Sequence, residues 1–250
     1  MRSNRSRFPF YLAATTALLT LSLGLILAQT TTSPSNQAGP SGTVVAPVAP
    51  SRPMVMIDPA HGGTESGAVL SPTLLEKDVT LALAHRLRQD LTARGVLVEL
   101  VRDSDVNIST DDRAGKANAE HPVLYLCLHV SSELGGARIF SALLPDAQEA
   151  HGAFIDWDIA QSGSLPKTHI AEQGLVAAFQ KVGLSAQLLQ APLRPLNNIV
   201  SPAVAVEFGP PTADVSQLMS NNFQQTASTV LANGIASILP AVEGRQDSIP

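Results

Sequence analysis

Four residues sit where chemistry could be done. His61 follows the strand-like run Met54–Ile57 and the dipeptide Asp58-Pro59, and His129 closes the apolar run "VLYLCLH". Glu207 ends "AVAVE", and Glu76 opens a helical stretch. Two imidazoles and a carboxylate at one place form the donor set of a catalytic zinc, which takes three protein ligands and keeps one position for water. Such an ion lowers the pKa of its water to about 7 and polarises a carbonyl oxygen. A separate carboxylate must then take the water's proton and pass it to the leaving amine. Two glutamates suit one ligand and one general acid/base. Other roles stay open for each residue alone: a histidine ending a strand is often a satisfied polar group, Glu76 suits a helix N-terminus, and Glu207 suits a buried arginine partner. The four lie far apart in sequence and lack a compact H-E-x-x-H pattern, so spacing leaves a metallohydrolase as one reading among these.

The remaining histidines have plainer readings. His85 lies in a helix beside Arg86 and reads as a surface residue, His121 precedes Pro122 in a turn, and His151 and His169 have polar neighbours. Trp157, the only tryptophan, either edges a groove or anchors packing. Cys127, the only cysteine, cannot form an internal disulfide and reads as a small buried hydrophobe.

The elements that must position these residues alternate in type. Met54–Ile57 is a short apolar strand. "EKDVTLALAHRLRQDLTARG" carries Val79, Leu83, Leu87 and Leu91 at helical spacing and stops at Gly95. "VLVELVR" follows as a strand, "DDRAGKANAE" as a short helix and "VLYLCLHV" as a second buried strand. After two glycines come the strand "ARIFSALL", the helix "THIAEQGLVAAFQKVG", the strand "PAVAVEFG" and a long closing helix from Asp214. This alternation predicts a single α/β domain with a twisted, mostly parallel sheet flanked by helices on both faces. In such sheets the reactive crevice forms outside the carboxyl ends of the strands, where His61, His129 and Glu207 fall.

The chain has 250 residues, 44% of them hydrophobic, and a formal net charge of −5. That suffices for one sizeable core with tails. Charged residues make up only 15% and no basic block occurs, which argues against nucleic acid as a partner. Arg2, Arg5 and Arg7 precede an apolar run from Phe8 to Ala28, the pattern of an export signal at 1–28, or of a membrane anchor if it is retained. No cysteine follows to suggest a lipid anchor. Residues 29–52 are rich in Thr, Ser, Pro, Gly and Ala and read as a flexible linker. The catalytic domain is expected at 53–242 and a disordered tail at 243–250.

Four separated blocks resemble one family. "IDPAHGGTESGA" is similar to the opening motif I-D-P-G-H-G-G-x-D-x-G-A of the zinc-dependent N-acetylmuramoyl-L-alanine amidases of the amidase-3 type. "LEKDVTLALAHRLRQDLTARGVLVELVRDSD" resembles the next block, in which a glutamate opens a helix. "TDDRAGKANAEHPVLYLCLHVSS" resembles L-x-x-R-x-x-x-A-N followed by S-x-H-x-N, and "PAVAVEFG" resembles P-A-V-L-V-E-x-G. The resemblance implies that His61, Glu76 and His129 bind one Zn²⁺, that Glu207 is the catalytic acid/base, and that Arg194 contacts substrate. It implies hydrolysis of the amide between N-acetylmuramic acid and L-alanine of the stem peptide in peptidoglycan. The setting would be the periplasm or cell envelope of a bacterium, the protein a monomer, and a cell-envelope activator a further partner. The chain departs from the family at Ala60 for glycine, Glu65 for aspartate, Ser131 for asparagine and "FGPPTAD" for G-F-x-x-N. These changes touch the groove more than the ligands. A non-catalytic peptidoglycan-binding or regulatory relative and a zinc peptidase for another exported amide are the alternatives.

Overall fold

The computed structural model describes residues 53–144 and 157–244. The expected signal at 1–28, the linker at 29–52, His151 and residues 245–250 of the expected tail lie outside them. In chain order the elements are β1 (Met54–Pro59), β2 (Val69–Ser71), β3 (Leu74–Leu75), α1 (Glu76–Thr92), β4 (Leu97–Leu100) and α2 (Thr110–Glu120). They continue with β5 (Leu124–Val130), β6 (Ala137–Ala142), α3 (Leu165–Lys181), β7 (Ala186–Ala191), β8 (Ala203–Phe208) and α4 (Asn221–Glu243).

The main sheet has the order β4-β1-β5-β8-β6-β7, and β2 and β3 form a separate small hairpin. Strands β4, β1, β5 and β8 run parallel. β6 turns back antiparallel to β8, and β7 is parallel to β6. The expected mostly parallel α/β sheet is therefore present, with one reversal next to Glu207.

Side-chain alternation along the strands separates two cores. Val55, Ile57, Leu126, Leu128, Val204 and Val206 face α1, α3 and α4, meeting Leu83, Leu87, Leu175, Phe179, Leu231 and Ile235. Met56, Tyr125, Cys127, Ala203 and Ala205 face the other way, toward Ala114 and Ala117 of α2 and toward Leu196 and Ile199. By the same period Asp58, His129 and Glu207 point to the thinner, α2-covered side. Three helices thus supply the bulk of the core, while the lighter face can open at its carboxyl edge.

Three local details differ from the sequence reading. α1 ends at Thr92, and Gly95, with φ 79°, completes the turn after it rather than capping the helix directly. The closing helix is divided: a 3-10 turn covers Val215–Met219, and Ser220 then caps α4 by accepting a hydrogen bond from the Phe223 amide, satisfying one of the unpaired donors of a helix start. Strand β7 was not expected, because "AQLLQA" has neither β-branched residues nor clean alternation. At the sheet edge four of its six residues are exposed, so burial imposes no pattern there.

Candidate metal centre

β1 delivers the chain to the carboxyl edge of the sheet, where Asp58-Pro59-Ala60 leads into His61. His61 adopts φ 62°, a left-handed conformation that costs a non-glycine residue about 1–3 kcal/mol and persists only where its surroundings enforce it. Two buried arginines do so. Arg102 donates from Nε to the Pro59 carbonyl (2.9 Å) and from Nη2 to the Ala60 and Lys77 carbonyls (3.1 and 2.8 Å). Arg113 donates from Nη2 to the His61 carbonyl (2.8 Å) and from Nη1 to the Pro59 carbonyl (3.2 Å). The turn closes as Gly62 and Glu65 exchange backbone hydrogen bonds of 2.8 and 3.1 Å.

Arg113 is itself held by Asp58, which lies fully buried and is paired to its Nη1. The same carboxylate accepts from the Tyr125 hydroxyl, and the Cys127 thiol lies 3.7 Å from its Oδ2. Burial pushes both the phenol and the thiol well above their usual ranges, so both stay protonated and able to donate. Replacing Arg113 by methionine would strand a buried carboxylate, at an expected loss of about 3–5 kcal/mol. In a domain of this size that lowers the thermal midpoint by roughly 6–20 °C, read from a melting curve.

Three donors converge beyond this base. Glu76, the first residue of α1, places Oε2 at 3.2 Å from His61 Nε2 and Oε1 at 2.8 Å from His129 Nδ1. Donor atoms of all three lie within 4.8 Å of one another. The carboxylate also accepts from the amides of Ala68 (2.8 Å) and Val130 (3.3 Å), so the backbone orients it. On the far side of its ring, His129 Nε2 lies 3.4 Å from Cys127 Sγ, which leaves Nδ1 directed at the triad. Glu76 is 7% exposed, whereas His61 and His129 keep 29% and 31% of their side chains accessible. One side of the cluster is therefore closed by protein and the other faces solvent. A borderline-soft divalent ion prefers this two-nitrogen, one-carboxylate set, and the residues present fit it.

Without metal the three groups hold one another. Burial alone would raise the Glu76 carboxyl, but the bonds from His129 and His61 outweigh it and hold that carboxyl far below its usual range. The hydrogen bond to Glu76, opposed by burial, raises the His61 imidazole. A depressed carboxylate stabilises the fold above its ordinary value and loses that contribution as pH falls toward the folded value. A raised imidazole stabilises below its ordinary value and loses that contribution as pH climbs through the folded one. Chelator-stripped protein is thus expected to melt highest between pH 4.5 and 6.5, the ordinary values of the two groups, as a pH series of melts would show. A metal requires neutral imidazole, so its added stabilisation should grow as pH rises above that window.

Glu207 lies one strand away. Register places His129 opposite Glu207 across β5 and β8, and Glu207 opposite Arg138 across β8 and β6. With strands about 4.8 Å apart, the three side chains form a row on the α2-covered side. Glu207 is thus a neighbour of the triad across the sheet and pairs with an arginine, Arg138. Arg194 stands apart: its guanidinium pairs with Asp111 (3.5 Å) and Asp158 (3.2 Å). His85 pairs with Asp103, His121 ends α2 with φ 49°, and His169 lies 4.0 Å from Glu172. Trp157 is exposed, and its carbonyl accepts from Asn198. The sequence reading missed the support behind the triad, Asp58, Arg102, Arg113 and Tyr125. The available signal was a charged residue, Asp58, within a fully buried run.

Fold and donor set together describe an α/β protein with three side chains that could hold a metal ion gathered at the carboxyl edge of its sheet. Residues 55–237 match the family described as N-acetylmuramoyl-L-alanine amidase. The chain belongs to that family. It is 29% identical to the endolysin of Bacillus phage SPP1 over 190 residues, covering 74% of this chain and 66% of the endolysin. It is 25% identical to N-acetylmuramoyl-L-alanine amidase AmiA of Salmonella typhimurium over 221 residues, covering 75% and 76% of the two chains. The catalytic domain of CwlV, an N-acetylmuramoyl-L-alanine amidase from Bacillus (Paenibacillus) polymyxa var. colistinus, shares the fold with a TM-score of 0.59 at 22% identity. That likeness covers 75% of this chain and 98% of the CwlV domain.

Proposed function

We propose that this protein hydrolyses peptidoglycan at the amide between the lactyl group of N-acetylmuramic acid and L-alanine, using one zinc ion held by His61, Glu76 and His129. The observation that carries the reading is the convergence of those three donors within 4.8 Å, in a chain that belongs to the amidase family. When bound, zinc supplies Lewis acidity, making water a better nucleophile near neutral pH and polarising a carbonyl. The protein's own groups do the rest. Arg102 and Arg113 hold His61 in its left-handed conformation, the Ala68 and Val130 amides aim Glu76, and Cys127 backs His129. Glu207, one strand from His129, accepts the proton of the attacking water and returns it to the departing L-alanine nitrogen. Both transfers need only one carboxylate oxygen, used first as base and then as acid.

Arg194 belongs to this reading as a substrate contact, reached by exchanging Asp111 or Asp158 for a group of the glycan or peptide. Export follows from Arg2, Arg5, Arg7 and the apolar run Phe8–Ala28, since the substrate lies outside the cytoplasmic membrane. The residues between that run and β1 would act as a tether if the run is retained.

The test is a digest of purified peptidoglycan by the full chain loaded with zinc, its products identified by mass. Free stem peptides beginning at L-alanine are expected. Peptides beginning at another residue would favour a peptidase instead, and a zinc-loaded protein that releases nothing would favour a non-catalytic relative.

A further inference from the structure

Arg138 divides its guanidinium between Glu207 and the loop behind His129. Nε donates to Glu207 Oε1 at 2.8 Å, and Nη2 lies 2.5 Å from the same oxygen. Nη2 also donates to Ser131 Oγ at 2.6 Å, and Nη1 to Glu133 Oε2 at 2.6 Å. Ser131 and Glu133 belong to the loop that leaves β5 just after His129. The loop is itself seated on β8: the Ser131 amide donates to the Phe208 carbonyl at 3.0 Å. A Cβ on Gly209 would stand 1.8 Å from the Glu133 carbonyl oxygen, so the two segments touch with no room to spare. One planar fork therefore ties the strand carrying Glu207 to the loop behind His129.

The arrangement divides the two oxygens of Glu207. Both contacts from Arg138 fall on Oε1, which leaves Oε2 to exchange a proton. A carboxylate at a sheet edge has several rotamers, and a rigid guanidinium restricts it more than a single-point contact would. Arg138 is only 15% exposed and Glu207 26%, so the pair is partly screened from water and the restraint persists.

We propose that Arg138 is a positioning residue for the reaction, fixing Oε1 of Glu207 so that Oε2 is aimed at the proton it must carry. This rests on the reading of Glu207 as the acid/base. Ser131, at the position where the family commonly has asparagine, belongs to the same device, because its hydroxyl takes the remaining reach of Nη2.

The test is a double-mutant cycle on the full zinc-loaded chain, with Arg138→Met, Arg138→Lys, Glu207→Gln and the Arg138→Met/Glu207→Gln pair. Misplacement of a catalytic group by about 1 Å can lower turnover by about 100-fold, so Arg138→Met is expected to lower kcat by about 10- to 100-fold. KM should stay within about threefold, because Arg138 makes no substrate contact in this reading. Arg138→Lys should fall between, since a lysine offers one point of contact. In the Glu207→Gln background the loss from Arg138→Met should shrink to less than about twofold. Zinc content and thermal midpoint, measured alongside, should match the parent. Wild-type kcat in Arg138→Met, with Glu207→Gln crippled, overturns the proposal and leaves the acid/base reading intact. An equal loss from Arg138→Met in both backgrounds overturns it too, because the effect would then bypass Glu207. Full activity in Glu207→Gln would instead overturn the acid/base reading itself. If Arg138→Met melts early, Arg138→Lys decides alone: a wild-type kcat, or a loss that persists with Glu207→Gln, overturns the proposal.

Discussion

Replacing Glu207 by glutamine should lower release of L-alanine amino termini from peptidoglycan by about 10²- to 10⁴-fold, the usual contribution of a general acid/base. Glutamine has nearly the shape of glutamate, and its carbonyl oxygen can still accept from Arg138. The change therefore removes proton acceptance and little else. Glu207 is not among the three converging donors, so zinc content should be unchanged. A variant of normal turnover would take the acid/base role away from Glu207. A variant that lost zinc would move Glu207 into the ligand set.

Gly67→Ala should weaken zinc binding by about 10- to 100-fold or more, comparable to losing an orienting partner of a metal ligand. Gly67 has φ 66°, and a Cβ there would lie 2.4 Å from His61 Cδ2 and 2.6 Å from Glu76 Oε2. Neither neighbour can give way cheaply. His61 is held through its carbonyl by Arg113, and Glu76 accepts from the Ala68 amide, one residue from the new methyl. The left-handed backbone adds about 1–2 kcal/mol of its own for alanine. Competition against a chelator of known affinity measures the loss, and parental affinity would mean that the loop 61–67 adjusts independently of the donors.

The site and its support were unequally legible in the sequence. His129 and Glu207 stood out because each is a polar residue near the end of an apolar strand, and His61 because the glycine-rich turn after β1 needs no imidazole. Glu76, a fitting residue for a helix start, was marked instead by the family motif. The parallel strands were legible for the same reason: β1, β5 and β8 are buried on both faces and read as continuous apolar runs. The support was hidden because its partners are remote. Arg113 sits in a polar helical stretch typical of an exposed surface, yet it is 4% exposed, since the carboxylate that draws it inward lies 55 residues earlier. Arg138 lies in the strand run "ARIFSALL", where nothing local singles it out. Its role depends on β6 pairing antiparallel with β8, a topological choice that no local pattern encodes. Arg194 shows the reverse case: motif position marked it, while its placed partners are Asp111 and Asp158.

The most direct measurement is a zinc titration of chelator-stripped full chain, following L-alanine amino termini released from peptidoglycan. Activity should be absent without metal, return in proportion to added zinc and saturate at one ion per chain; His129→Ala should recover nothing over the same range. Full activity in the stripped protein, or full recovery by His129→Ala, would contradict a reaction that depends on metal held by His61, Glu76 and His129.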